Sequence, residues 1–363
     1  GTGDGTNYSL AAGQTVAASI TARAIAVDAP TVTKIYDGST TITPSIATIN
    51  PLLPTPATGS SLGTSDAITA SDLAYATARA GSSKVVNASN LVIRDNSGAG
   101  EVMNSNYTIT YNANNASVIT PKTLTPTITN TGVTKVYDAT TDAPSGFTPS
   151  FSWSGFISGD TAANLSNTSS AYNAKNVSTA NKVTVNGLAI TAVTGSNGST
   201  ATDYVLDTSS KSVLASITPA TLTPTLSNTG VTKVYDASTS APTGFTPTYT
   251  WSGLVAGDSA ATLSSTSSSY NSKNVSTANQ LTVNGLAITG ISGSNSSLAS
   301  DYVLNATSKS VAATITPKTI IAAISNTGVR KVYDGTDSAP SGFTPTYTWS
   351  GLVAGDSCAA VGN

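Results

Sequence analysis

The sequence contains no histidine, one cysteine (Cys358) and a single glutamate (Glu101). Nucleophile systems built on Ser-His or Cys-His are therefore excluded. A Ser/Lys pair such as Ser82 and Lys84 can be drawn, but serine is so frequent that such pairs arise by chance. With no base and orienter beside a nucleophile, the chain reads as non-enzymatic. One cysteine builds neither a disulfide framework nor a paired-cysteine zinc site. Charged residues make up 9% of the chain, net charge is −2, and no Lys/Arg run occurs. The electrostatic footprint of a nucleic-acid binder is missing. No charged-then-apolar leader and no apolar run near the roughly 18 residues of a membrane span occurs, so the sequence as it stands reads as soluble.

Ser, Thr, Asn, Ala and Gly fill most positions. Low charge with low hydrophobicity is compatible with disorder, but disordered chains lack the Val, Ile, Leu, Tyr and Trp that recur here at alternating spacing. Ordered β-structure is the expectation.

What recurs most clearly is Lys-Val-Tyr-Asp, preceded by the variant Lys34-Ile35-Tyr36-Asp37. The motif residues are Tyr36 and Asp37, Tyr137 and Asp138, Tyr235 and Asp236, and Tyr333 and Asp334, with tyrosines 101, 98 and 98 residues apart. Such a period is too long for solenoid repeats and suits a module with its own core. Ile119-Thr120-Pro121 returns as Ile217-Thr218-Pro219 and Ile315-Thr316-Pro317, marking the junctions. Three complete modules follow, at 23–122, 123–220 and 221–318. Residues 1–22 match a module ending and 319–363 a module beginning, so the chain reads as a fragment of a longer protein. The second and third modules are near duplicates, as recent tandem duplication would leave them. The first lacks the tryptophan.

Thr248-Tyr249-Thr250-Trp251 and Gln280-Leu281-Thr282-Val283 alternate polar and apolar residues with period two, as half-buried strands do. The apolar phase shifts across Asn284-Gly285, and likewise at Asn186-Gly187, which fits either a two-residue hairpin or a bulge. Many short β runs between Gly, Pro, Asn and Ser point to an all-β tandem array of Ig-like antiparallel β-sandwich modules of about 98 residues, with minimal helix. Pro121, Pro219 and Pro317 leave almost no linker, so a semi-rigid rod is expected, each sandwich adding about 30 to 45 Å.

The residues that could carry chemistry each have a structural reading beside the functional one. Asp138, Asp160 and Asp203, then Asp236, Asp258 and Asp301, recur at matching places. Calcium takes such oxygen ligands, yet no EF-hand or Gly-Gly-x-Gly-x-Asp spacing occurs, and capping of turn amides is the plainer reading. Trp153, Trp251 and Trp349 stand 98 residues apart with aromatic partners Phe151, Tyr249 and Tyr347. They suit core packing, with ligand contact by stacking on sugar rings as the alternative. Lys135, Lys233 and Lys331 precede the motif tyrosine and either cover the strand with their stems or form an isopeptide bond with asparagine. Asn-x-Ser/Thr triplets such as Asn176-Val177-Ser178 follow from composition. Cys358 takes the slot of Ala162 and Ala260, that of a small buried side chain.

Taken together, Lys34 to Gly38, Lys331 to Gly335, the Val-Thr-Val-x-Gly-Leu segment at Val183 to Leu188 with its near form at Leu281 to Leu286, Asp203-Tyr204-Val205-Leu206 and Ile217-Thr218-Pro219 cover nearly the whole chain. In these the chain resembles the YDG repeat domain of large bacterial surface exoproteins, including filamentous-haemagglutinin-like adhesins. Ala139 and Ala237 replace the usual glycine, which argues against a positive-φ turn there. The resemblance implies a stalk segment of a secreted or surface-anchored adhesin, exported by two-partner secretion and serving attachment or biofilm formation. Its partners would be neighbouring modules, and in the alternative reading surface glycan, a host surface or other adhesin copies. The motif tyrosine then serves as a core or turn anchor.

Overall fold

The computed structural model describes residues 4–9, 11–13, 15–43, 62–63, 66–95 and 100–358. They form an all-β protein whose only helical elements, among the described residues, are three-residue 3-10 turns. Alternation fixes the strand faces: in Gln280–Asn284, Leu281 and Val283 are fully buried while Gln280 is exposed. Each such side chain contributes roughly 1.5–3 kcal/mol by leaving water.

The second repeat shows the plan. A four-stranded sheet runs in the order Ser169–Tyr172, Lys182–Asn186, Ser210–Thr218, Val133–Val136. A three-stranded sheet places Lys122–Ile128 between Phe151–Ser154 and Tyr204–Leu206, and Asp160–Ser166 pairs with Ala189–Gly195. Pro126 fits the middle strand because its nitrogen side lies beyond Leu206, where the register of the parallel neighbour stops. The third repeat copies this plan. In the first, five strands from Thr33–Ile35 to Thr41–Ile42 form one sheet, and Arg23–Asp28 pairs with Tyr107–Asn112.

Two sequence expectations need correction. The pairing is mixed rather than antiparallel: Lys122–Leu124 runs parallel to Tyr204–Leu206, and Val133–Val136 parallel to Ala215–Thr218. The opening two strands of a repeat thus lie beside its closing two, which close chain reversals cannot produce. Asn284-Gly285 is neither a hairpin nor a bulge. The strand before it pairs with Ser267–Tyr270 and Ser308–Thr316, and the strand after it with Asp258–Ser264. The dipeptide carries the chain from one sheet to another, with Gly285 at φ 65°, where an added Cβ would stand 2.2 Å from Thr266 Oγ1. Pro121 and Pro219 do lie directly between strands, after Thr120 and Thr218.

Packing does not follow the sequence repeat. One compact unit comprises Gly1–Asn130, Pro149–Ser169 and Val185–Lys211. Its core joins Val27, Tyr36, Leu73, Val86, Ile93 and Ile119 of the first repeat to Leu124, Ile157 and Tyr204 of the second. The other unit comprises Thr131–Thr148, Ser170–Thr184 and Ser212–Asn363. One of its cores joins Val133, Tyr137, Tyr172 and Ile217 of the second repeat to Leu222 and Tyr302 of the third, and another gathers Val231, Tyr270, Leu281 and Ile315.

Candidate functional site

Period-two alternation aims the Lys-Val-Tyr-Asp motif. Along Val133–Val136 the side chains of Val133 and Lys135 point inward with Tyr137, while Val136 points to solvent. Tyr137 is 2% exposed, and Tyr36 in the first repeat 1%.

Each tyrosine reaches a partner set in the next repeat. Tyr36 OH lies 2.7 Å from Ser199 Oγ, and Ser199 donates its proton to Asp160 Oδ2 at 2.5 Å. Tyr36 must therefore be the donor to Ser199. Tyr204 donates to the same Asp160 oxygen at 2.6 Å, accepts the Ile157 amide at 3.2 Å, and meets the Tyr36 ring edge-on at 5.5 Å. The relay recurs in the next joint. Tyr137 and Ser297 are 2.6 Å apart, Ser297 and Tyr302 donate to Asp258 Oδ2 at 2.6 and 2.5 Å, and the tyrosine rings stand 5.6 Å apart. Burial, then the hydrogen bond to the aspartate, holds the Tyr204 and Tyr302 hydroxyls well above the usual tyrosine pKa.

A second carboxylate locks the same joint. Asp203 is fully buried; its Oδ1 accepts the Ala80 amide at 2.8 Å, and its Oδ2 accepts the Thr200 amide and hydroxyl and Arg79 Nη1 at 3.0 Å. Burial pushes this carboxyl pKa up, but the backbone donors, the Thr200 hydroxyl and Arg79 outweigh it and leave the pKa lowered. In the next joint the buried Asp301 carboxylate accepts hydrogen bonds from the Val177 and Leu298 amides and the Asn176 side chain, each at 2.7 Å. Arg79 also reaches the Gly198 carbonyl, and Lys175 the Asn295 carbonyl. Tyr333 of the fourth motif is 93% exposed. Tyr235 is half-buried.

A family model described as the YDG domain matches residues 21–116, 120–211 and 218–309, most of the chain. The chain belongs to the YDG domain family. No curated protein and no solved structure matches it.

In these YDG repeats the motif lysine and aspartate close a turn. Lys135 Nζ gives its protons to Asp138 Oδ1, the Thr140 carbonyl and Thr140 Oγ1 at 2.6, 3.0 and 2.9 Å, and stands 5.5 Å from the Tyr172 ring centre. Lys34, Lys233 and Lys331 make the corresponding contacts with Asp37, Asp236 and Asp334. The isopeptide reading requires an asparagine where Lys135 instead meets Asp138 and Thr140. For Asp138, burial pushes the pKa up, but Lys135 and the Thr140 amide outweigh it and leave the pKa lowered. For Asp236, Lys233 and then the Ser238 amide bring it down to about 2. The turn keeps positive φ even without glycine: Ala139 and Ala237 sit at φ 63° and 64°, against the sequence expectation. The aspartate's bond to the amide two residues on fixes that conformation and outweighs a strain of about 1–2 kcal/mol.

The six aspartates considered for calcium are thus engaged in turns and joints, and among the described residues no group of acidic, histidine or cysteine side chains is arranged to hold a metal ion. Trp153, Trp251 and Trp349 are half-buried. Trp153 and Trp251 pack against the cores that span successive repeats, and Trp153 lies 5.6 Å from Phe156 and 6.0 Å from Phe151. Cys358 is partly exposed. Sequence reasoning named the aspartates but not Ser199, Ser297 or Arg79, and it met Asn176 only within an Asn-x-Ser triplet set aside as compositional. Near-duplicate repeats share most residues, so recurrence alone could not single these out.

Proposed function

We propose that this YDG array is a non-catalytic stalk segment of a large secreted or cell-surface bacterial adhesin of the filamentous-haemagglutinin-like kind, a semi-rigid spacer in attachment or biofilm formation. The observation that carries this reading is the Tyr-Ser-Asp-Tyr relay. The polar side chains that recur most regularly, and would otherwise suggest a reactive centre, are used to tie one repeat to the next. Each repeat acts in this reading as an Ig-like sandwich module, an assignment that a crystal structure of the chain tests.

Deleting residues 123–220 provides the test of the spacer. Small-angle scattering should show the maximum dimension falling by about 30–45 Å, the length of one module; an unchanged dimension would sink the proposal. Antibody labelling of intact cells making the full-length protein tests surface display, with labelling only after lysis counting against it.

A second reading, that the array itself binds glycan, is favoured by the tryptophans being half-buried rather than enclosed. Glycan-array binding by the chain, lost in a folded Trp251→Ala variant, would support it, and absence of binding would remove it. Self-association would instead appear as concentration-dependent sedimentation.

A further inference from the structure

The residue after the motif aspartate differs between repeats, and so does a residue facing the same joint from the following repeat. The first repeat has Gly38, and the second repeat supplies Ile157, four residues after Trp153. The second repeat has Ala139, and the third supplies Val255, four residues after Trp251. The third has Ala237, and Val353 holds the matching place after Trp349. In the three joints for which both residues are present, glycine goes with isoleucine and alanine with valine. The two combinations carry the same number of side-chain carbons.

The geometry shows why they are not interchangeable. Gly38 lies at φ 78°, and a Cβ built on it would stand 2.5 Å from Ile157 Cδ1, well inside contact distance. Ile157 is buried in the core that contains Tyr36 and Tyr204, so its δ-methyl stands in close-packed surroundings. In the next joint Ala139 and Val255 pack against the equivalent core, around Tyr137 and Tyr302. There the chain carries a β-methyl on the motif side, and valine lacks the δ-methyl on the other. Backbone conformation does not explain the choice of residue, because Ala139 and Ala237 hold positive φ as Gly38 does.

We infer that this pair is a matching element deciding which repeat can follow which. A glycine-type motif accepts an isoleucine-bearing successor, and an alanine-type motif a valine-bearing one. Alanine before isoleucine overfills the joint; glycine before valine leaves a void beside the interlocked tyrosines. Repeats otherwise alike enough to exchange places are thereby sorted at their joints. The inference concerns the joint alone and stands apart from the spacer reading.

Two double-mutant cycles on the full chain test it: Gly38→Ala with Ile157→Val, and Val255→Ile with Ala139→Gly. The readout is amide exchange in the motif strands, including the Tyr36 amide bonded to the Thr120 carbonyl and the Tyr137 amide bonded to the Thr218 carbonyl. Overpacking by one methyl should speed exchange about tenfold in Gly38→Ala and in Val255→Ile. The strain of alanine at positive φ is present in both backgrounds of a cycle and cancels from it. Matching predicts a coupling of about threefold or more in each cycle, with the double variant less labile than the product of its single changes. Coupling below that in either cycle overturns the inference.

Discussion

Tyr137 and Ser297 lie 160 residues apart in sequence, yet their side-chain oxygens are 2.6 Å apart in a buried hydrogen bond. The serine passes its own proton to Asp258, so the tyrosine ends a chain of donors directed at one carboxylate.

Removing the tyrosine hydroxyl leaves Ser297 with an unfilled acceptor. Tyr137→Phe should lower stability by about 1–2 kcal/mol, and Tyr36→Phe by a similar amount. Tyr333→Phe serves as the control, because that ring is exposed and its change should be silent. Denaturant midpoints for the three variants check this.

Asp203 is buried, whereas Arg79, its charged partner, keeps 38% of its side-chain surface in solvent. The two halves of this pair should therefore respond unequally. Asp203→Asn turns an amide group toward backbone donors and is expected to cost about 3 kcal/mol. Arg79→Ala should cost about 1 kcal/mol or less. Asp301 takes neutral donors in the corresponding joint. Added salt should thus weaken the Asp203 joint more than the Asp301 joint, as read by amide exchange at Ala80 and Val177.

Acid should release the motif turn late. Asp236 is brought down from 3.8 to about 2, chiefly by Lys233 and the Ser238 amide. Its contribution is complete above about pH 4 and is lost as pH falls through about 2. An NMR titration of the Asp236 carboxyl should find its midpoint below 3, and a midpoint near 3.8 would count against the turn geometry.

Alkali tests the other end of the relay. Burial and then the bonds to Asp160 and Asp258 raise the pKa of Tyr204 and Tyr302. A raised folded value means that their contribution is intact below pH 10 and declines as pH climbs toward that value. Phenolate absorbance should show these two tyrosines silent at pH 10 in the folded chain and titrating on unfolding. Tyr204→Phe and Tyr302→Phe identify their share of the signal.

Much of the local structure was legible because it depends on neighbours in sequence. Alternation placed Leu281 and Val283 inside, and Pro121 and Pro219 marked strand boundaries. The phase shift at Asn284-Gly285 was visible, but the hairpin and bulge readings of it both failed, because its meaning depended on which strands lay alongside, information that no local pattern holds. The same limit hid the parallel pairings. For the joint, the aspartates stood out by spacing, while their donors did not: Arg79 serves one joint and Asn176 the other, so the role persists although the residue type changes. Ala139 misled because propensity disfavours its conformation, which the Asp138 carboxylate imposes.

The offset between sequence repeat and packed core has a temporal side. In a chain that emerges from its N-terminal end, Tyr36 emerges early, but its partners Ser199 and Tyr204 arrive more than 160 residues later. Loop closure over such a distance precedes any reward from the contact. Each newly emerged repeat thus waits, with its tyrosine uncovered, for its successor, and ordering advances along the polypeptide one step behind its delivery.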